Sequence, residues 1–295
     1  MTEIQIDALL PQEMAARAEQ LGMRKSEMTF LKTFMLAVLT GAFIALGAIF
    51  ATTVSAAGMS VTASDGSVAY NTALPYGVVR LLAGLVFSLG LILVVVGGAE
   101  LFTGNNLIIM AWASGKVRGL AVLRNWIIVY IGNFFGAVGT AGLMFFTKQY
   151  TFGSNAVGII ALKTAVSKCD YTFVQAVALG ILCNALVCLA VWLTYSAHTT
   201  TDKILAIIFP ISAFVAAGFE HSIANMYYIP YALFIKIYDP NFIGTLNGQV
   251  SHLEKLTWQA FFVNNLLPVT IGNIIGGSVL VASVYWLIYL RRPGS

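Results

Sequence analysis

Six apolar stretches, at about 30–54, 76–113, 121–147, 172–197, 203–236 and 258–290, dominate this chain and leave it no soluble fold. Only 9% of its 295 residues are charged, against roughly 25% in a soluble domain, and its mean hydropathy is +0.85. A surface so poor in charge needs hydrocarbon as its solvent. The stretches are therefore expected to be helices that satisfy their own backbone across a bilayer. The net charge of +4 does not point to nucleic acid, because the basic residues are scattered among helix flanks and loops.

Four stretches suit one membrane helix each. The other two are too long: 76–113 would extend roughly 57 Å at ~1.5 Å per residue, against a hydrocarbon core of ~30 Å, and 203–236 has the same excess. Each carries polar residues at its middle: Glu100, Thr103, Asn105 and Asn106 in one, Glu220, His221, Ser222 and Asn225 in the other. Two half-helices joined by irregular backbone account for both facts, and such backbone survives at membrane depth only inside protein or beside a wet cavity. The expected fold is an all-α membrane protein with six transmembrane helices, two of them interrupted. A single channel-sized domain spans 30–290. Residues 1–29 precede it as an amphipathic helix (Leu9, Leu10, Met14, Ala18 and Leu21 at helical spacing) lying in the membrane interface, and 291–295 form a tail.

Basic residues orient the chain. With both termini in the cytoplasm, ten Lys and Arg flank the spans inside and six outside, and the 55–75 loop, with neither, lies outside. The interrupted segments resemble each other. Gly98-Ala-Glu100-Leu-Phe-Thr-Gly-Asn105 matches Gly218-Phe-Glu220-His-Ser-Ile-Ala-Asn225, and Gly132-Asn133-Phe-Phe-Gly136 matches Gly272-Asn273-Ile-Ile-Gly276. Repeats at about 30–147 and 172–290 hold three spans each, so they run in opposite directions. Interruptions at matching positions of inverted repeats point to a midplane substrate site. Gly132, Gly136, Gly139, Gly272 and Gly276 are expected to let helices approach closely, and Asn133 and Asn273 to bridge neighbours.

His221 is the single histidine inside a predicted span; His198 and His252 fall in loops. An intramembrane ionisable group is costly to bury, which makes His221 a functional candidate, and imidazole changes charge near neutral pH. Glu100 and Glu220 are expected to hold the breaks in shape by accepting backbone N–H groups near the half-helix starts. Thr103 and Asn184 either make helix–helix hydrogen bonds or orient His221 and touch the substrate; spacing does not choose. Lys168, in a loop, reads as solvated. Cys169, Cys183 and Cys188 are odd in number and lack metal-type spacing, so they read as structural. No metal cluster, cofactor or nucleophile–base motif suggests an enzyme.

Gly98-Ala-Glu-Leu-Phe-Thr103, Gly218-Phe-Glu-His-Ser-Ile-Ala-Asn-Met226 and Pro268-Val-Thr-Ile-Gly-Asn-Ile-Ile-Gly-Gly277 together resemble the formate/nitrite transporter family. The likeness covers nearly the whole chain. Phe87-Ser-Leu-Gly-Leu-Ile-Leu93 and Val187-Cys-Leu-Ala-Val191 place it nearest the formate channels. That resemblance implies a homopentamer in the bacterial inner membrane, each protomer with an aquaporin-like fold and its own pore. It implies two apolar constrictions around His221: Leu91, Leu101 and Phe102 on the cytoplasmic side, Phe87, Val187 and Phe214 on the periplasmic side. It makes Thr103 the threonine of a mobile gating loop, Asn184 the asparagine that contacts the histidine, and Lys168 a functional lysine. The implied substrate is formate, crossing passively or with a proton. The Thr103-Gly104 pair is more typical of the nitrite branch and keeps nitrite or hydrosulfide as the alternative. No cofactor is implied.

Overall fold

The computed structural model describes residues 8–62, 66–71 and 74–291, so residues 1–7 and the end of the expected tail, 292–295, lie outside it. Helix α1 (Pro11–Glu27) leads into α2 (Phe30–Ser55), which is followed by a two-stranded antiparallel hairpin, β1 (Ser60–Thr62) and β2 (Val68–Asn71). Then come α3 (Tyr76–Gly97), a loop ending in the short α4 (Ile109–Ala113), and α5 (Gly119–Phe146). The second half runs through α6 (Ala156–Cys169), α7 (Phe173–Thr194), α8 (Thr200–Ala217), α9 (Ser222–Tyr238) and α10 (Pro240–Thr245). A 30-residue rod, Ala260–Tyr289, closes the chain; it contains α11 (Leu267–Ile274) and α12 (Val284–Tyr289), each preceded by a stretch of π-helix.

Six helices among the described residues are long and apolar enough to cross a membrane: α2, α3, α5, α7, α8 and the closing rod. Their outward-facing sides carry large exposed apolar side chains such as Leu39, Leu123, Phe135, Leu182, Phe209 and Leu280. The all-α expectation holds with the hairpin as its one addition. The hairpin marks one face of the molecule; α1 and the end of α12 mark the other, called here the terminal face.

Close helix approach follows the glycines. A side chain at Gly136 would place Cβ 2.0 Å from the Val38 carbonyl oxygen, and one at Gly276 would place it 2.1 Å from that of Ile181. These positions bring α5 against α2 and the closing rod against α7 in the same way. Gly139, grouped with them by spacing, has no atom within 4 Å and takes no part in this packing.

Helix α1 departs from its expected setting. It does turn an apolar face inward, burying Met14, Ala15 and Ala18, but that face lies on protein: Leu107, Met110, Trp192 and Tyr195 form the platform beneath it. Polar contacts fix the position. Gln12 Nε2 donates to the Tyr289 carbonyl at 2.6 Å, Arg17 Nη1 donates to that of Tyr195 at 2.8 Å, and Lys116 pairs with Glu19.

Candidate functional site

Both breaks are built alike. Helices α3 and α8 end at Gly98 and Gly218, whose φ values of +74° and +78° are left-handed and strained for any side chain. The next amide reaches back in each case, Ala99 N–H to the Val94 carbonyl at 2.9 Å and Phe219 N–H to that of Phe214 at 3.0 Å. Glu100 N–H then donates to the Leu36 carbonyl and Glu220 N–H to the Leu179 carbonyl, both at 3.3 Å.

An asparagine from a neighbouring span ties each break. Asn133 Nδ2 donates to the carbonyls of Ala37 (2.8 Å) and Glu100 (2.9 Å), while its Oδ1 accepts from Phe102 N–H at 3.0 Å. Asn273 Nδ2 donates to Gly180 (2.8 Å) and Glu220 (3.0 Å), and its Oδ1 accepts from Ser222 N–H at 2.9 Å. Three backbone groups that water cannot reach are satisfied by one amide side chain, which answers the requirement that irregular buried chain be paired.

This corrects the expectation for the two glutamates. Because the asparagines carry the backbone load, the carboxylates take side-chain donors instead. Glu220 Oε1 accepts from Lys168 Nζ at 2.7 Å, and its Oε2 from Asn225 Nδ2 (2.7 Å) and Asn265 Nδ2 (3.1 Å). Asn265 Nδ2 also donates to the Lys168 carbonyl at 2.8 Å. Glu100 accepts from Lys25 Nζ at 2.8 Å and Asn105 Nδ2 at 2.7 Å, and Asn125 Nδ2 donates to the Lys25 carbonyl at 3.2 Å. Lys25, at the end of α1, is thus the counterpart of Lys168 at the end of α6. By sequence alone Lys25 is one of the ten basic residues flanking the spans inside. Carrying the repeat upstream of 30 and of 172 pairs Lys25 with Lys168, and the offset that pairs Asn133 with Asn273 also pairs Asn125 with Asn265.

His221 is the N-cap of α9. Its Nδ1 accepts from Ala224 N–H at 3.1 Å, satisfying one of the orphan donors of the first turn. That bond leaves Nδ1 unprotonated and puts the imidazole proton on Nε2, which donates to Thr103 Oγ1 at 2.9 Å. The tautomer is thereby assigned by the network. The Thr103 carbonyl in turn accepts from Asn184 Nδ2 and from the Cys188 thiol, both at 3.3 Å. Asn184 Nδ2 also donates to the Asn273 carbonyl at 2.6 Å. Asn184 therefore acts on His221 through Thr103, not by the direct contact expected. Both broken segments and two spans meet at this one knot.

Two vestibules approach the knot from opposite faces. The hairpin-side vestibule, about 520 Å³, is lined by Arg80, Lys163, Lys168, Glu220, Tyr228 and His221 among others. The terminal-side vestibule, about 570 Å³, is lined by Arg17, Arg24, Lys25, Lys32, Lys203 and Glu100 together with Leu91, Leu101 and Val191. Each has more cations than carboxylates at its wall. Between them sits a void of about 10 Å³, room for a single water at most, lined by Ile44, Phe87, Leu91, Leu101, Val187, Ile211, Phe214 and His221. Leu91 and Leu101 separate the void from the terminal-side vestibule; Phe87 and Phe214, edge-to-face at 5.6 Å, separate it from the other.

Phe102 is not part of this wall. Its ring packs between Tyr130 (4.9 Å) and Trp126 (6.0 Å), because Asn133 turns the loop so that Phe102 faces α5 and Leu101 faces the void. Ile44 and Ile211, which do line it, carry no sequence signal that separates them from other buried isoleucines. All three cysteines are free and buried. No cluster of metal-ligating side chains occurs among the described residues.

A family model for the formate/nitrite transporters matches residues 12–287. The chain is 43% identical to the formate channel FocA of Escherichia coli K12, covering 97% of this chain and 96% of that protein. It is 40% identical to the formate channel FocA of Haemophilus influenzae, over 93% of this chain and 92% of the relative. A solved pentameric formate channel with formate bound superposes with a TM-score of 0.78 at 43% identity, covering 89% of this chain and 98% of that one. With the family model spanning nearly every residue of the two repeats, this multi-pass membrane protein belongs to the formate/nitrite transporter family.

Proposed function

We propose that the protein is a formate channel of a bacterial inner membrane, a homopentamer with one pore per protomer and both termini in the cytoplasm. The observation that carries the reading is a water-sized apolar void, faced by one hydrogen-bonding side chain, between two cation-rich vestibules. The similarity to formate channels over nearly the full length supports formate over nitrite as the substrate, and the basic residues on the terminal face support its assignment to the cytoplasm.

Lys168 and Lys25 concentrate the anion in their vestibules. Leu91, Leu101, Phe87, Val187 and Phe214 exclude its hydration shell, so a bare anion meets a large desolvation cost in the void. The cost falls if formate takes a proton from vestibule water and crosses as the neutral acid. His221 suits that route as a neutral donor: a proton added at Nδ1 would break the cap on α9, whereas Nε2–H and the Thr103 hydroxyl already form a donor pair. Asn184 holds Thr103 in place. No chemical conversion takes place, so the protein is not an enzyme.

The test is uptake into proteoliposomes by wild type and by His221→Phe at several pH values, with formate, nitrite and hydrosulfide side by side. Formate uptake that rises as pH falls, and loses that profile in the variant, supports the role of His221. An unchanged rate and profile would sink it. Nitrite outrunning formate in the wild type would replace the substrate but keep the site.

A further inference from the structure

The proposed mechanism leaves two cations of the hairpin-side vestibule unused, Lys163 and Arg80, and of the two Arg80 is the one fixed at the break. Arg80, on the first turns of α3, reaches across to the last turn of α8: its Nε donates to the Ala216 carbonyl at 3.1 Å and its Nη2 to the Val215 carbonyl. Those carbonyls are the negative end of a half-helix that stops inside the protein, at the wall of the vestibule. Uncapped, they would present a partial negative charge to any anion approaching His221. The guanidinium has five N–H groups in a planar fork, and the two carbonyls use only part of them. Among the described residues no carboxylate pairs with Arg80, and Glu220, which shares its vestibule, is held by Lys168. The pattern is one-sided. Among the described residues no side chain donates to the last carbonyls of α3, at the other break.

We propose that Arg80 is a positioning and anion-binding residue of the hairpin-side vestibule. It cancels the negative end of α8 and offers its remaining N–H groups, opposite Lys168, as a docking site for a small carboxylate before entry. A fork that binds two carbonyls with one edge and a carboxylate with another cannot be replaced by an ammonium, which has the charge without the geometry. The consequence for transport rests on the channel reading; the binding site itself does not.

Two measurements test it. In proteoliposomes at limiting formate and low ionic strength, Arg80→Gln is expected to lower the initial uptake rate about fivefold. The gap should shrink to less than about twofold near 0.5 M salt, where the Debye length falls to a few Å. Arg80→Lys should recover only part of the rate. A reduction equal at both salt concentrations would mark a merely structural role and overturn the proposal, as would an unchanged rate at low salt. Crystals soaked in bromide supply the second readout, with an anomalous peak expected beside the Arg80 guanidinium in wild type and absent in Arg80→Gln. No peak in wild type overturns the proposal. A peak in a wild type that carries no formate would instead refute the channel reading and leave the anion site standing.

Discussion

Lys168 is bonded to a buried glutamate and also lines the hairpin-side vestibule, so removing it tests its structural role and its proposed transport role at once. The side chains of Lys168 and Glu220 are 13% and 2% exposed and 2.7 Å apart. Breaking a buried pair by deleting one partner costs about 3–5 kcal/mol, because the other charge is left stranded. Asn225 and Asn265 still donate to Glu220, which puts Lys168→Met near the lower end, about 3 kcal/mol. For a chain of this size that is a fall of roughly 5 °C in the melting temperature. Adding Glu220→Gln removes the stranded charge and keeps an acceptor for both asparagines, so the double variant should return to within about 1 kcal/mol of wild type. Transport should not return with it. An anion ~6 Å from the ammonium, in a wet vestibule of effective dielectric ~40, gains ~1.4 kcal/mol, a tenfold local enrichment. The assay pairs melting of the detergent-solubilised protein with formate uptake at limiting concentration. A double variant that recovers both stability and full uptake would refute the reasoning, and would reduce Lys168 to the counter-ion of Glu220.

Asn273→Leu keeps the volume of the side chain but orphans the Gly180 and Glu220 carbonyls and the Ser222 amide, at about 1–3 kcal/mol each, so thermal unfolding should shift by at least ~3 kcal/mol. Asn133→Leu, with matching partners, should cost the same; a difference of more than about twofold would deny that the breaks are equivalent. Gly277→Ala would place Cβ 2.5 Å from Asn184 Nδ2 and 2.8 Å from Cys188 Sγ, the two groups that hold the Thr103 carbonyl, and should abolish most uptake while the protein stays folded by circular dichroism; normal uptake would show that the Thr103 loop is not held this way. On the hairpin face, hydrogen bonds from Lys148 and then Tyr150 and Phe242 N–H pull the Asp239 carboxyl down to about 2 from its ordinary 3.8. A depressed carboxyl stabilises above the unfolded value, so this contribution is present above about pH 4 and is lost as pH falls towards 2. The stability difference between wild type and Asp239→Asn should vanish across that window, and a gap that persists at pH 2 would contradict the assignment.

The spans were legible because hydrocarbon leaves few choices: a helix must cross ~30 Å with its backbone satisfied, so excess length and mid-segment polarity located both breaks. The glycines at 98 and 218 and the asparagines at 133 and 273 were visible as repeated letters, but what they bind was not. Nothing in the spacing says that an amide side chain can take three backbone groups, and so the glutamates were given the asparagines' work. Phe102 was lost for a related reason. Adjacent loop residues face opposite ways, and only the Asn133 bond to Phe102 N–H decides which of Leu101 and Phe102 meets the void. Lys25 was missed because an amphipathic segment ahead of the first span reads as a membrane-surface helix, and the repeat was cut off before it.

With the repeat extended, the place where it fails becomes informative. Gly98, Glu100, Asn105, Asn125, Asn133 and Lys25 answer Gly218, Glu220, Asn225, Asn265, Asn273 and Lys168 in most of their contacts; Asn265 adds a bond to Glu220, and Lys25 one to Asn105, that the other half lacks. The residue after each glutamate breaks the match: Leu101 in one half, His221 in the other, both on the wall of the same void. Thr103 stands opposite His221 where the second half has Ile223. The scaffold is therefore two copies of one device for holding a broken helix still, and the chemistry is a single polar pair spent at the point where the copies differ. Had both halves kept a leucine, the void would be apolar all round and would offer an entering anion no hydrogen-bond donor. Two histidines would have placed two costly groups where one donor suffices. On this argument Leu101→His adds a polar group to a void that already has its donor, and its cost falls on folding before it falls on transport.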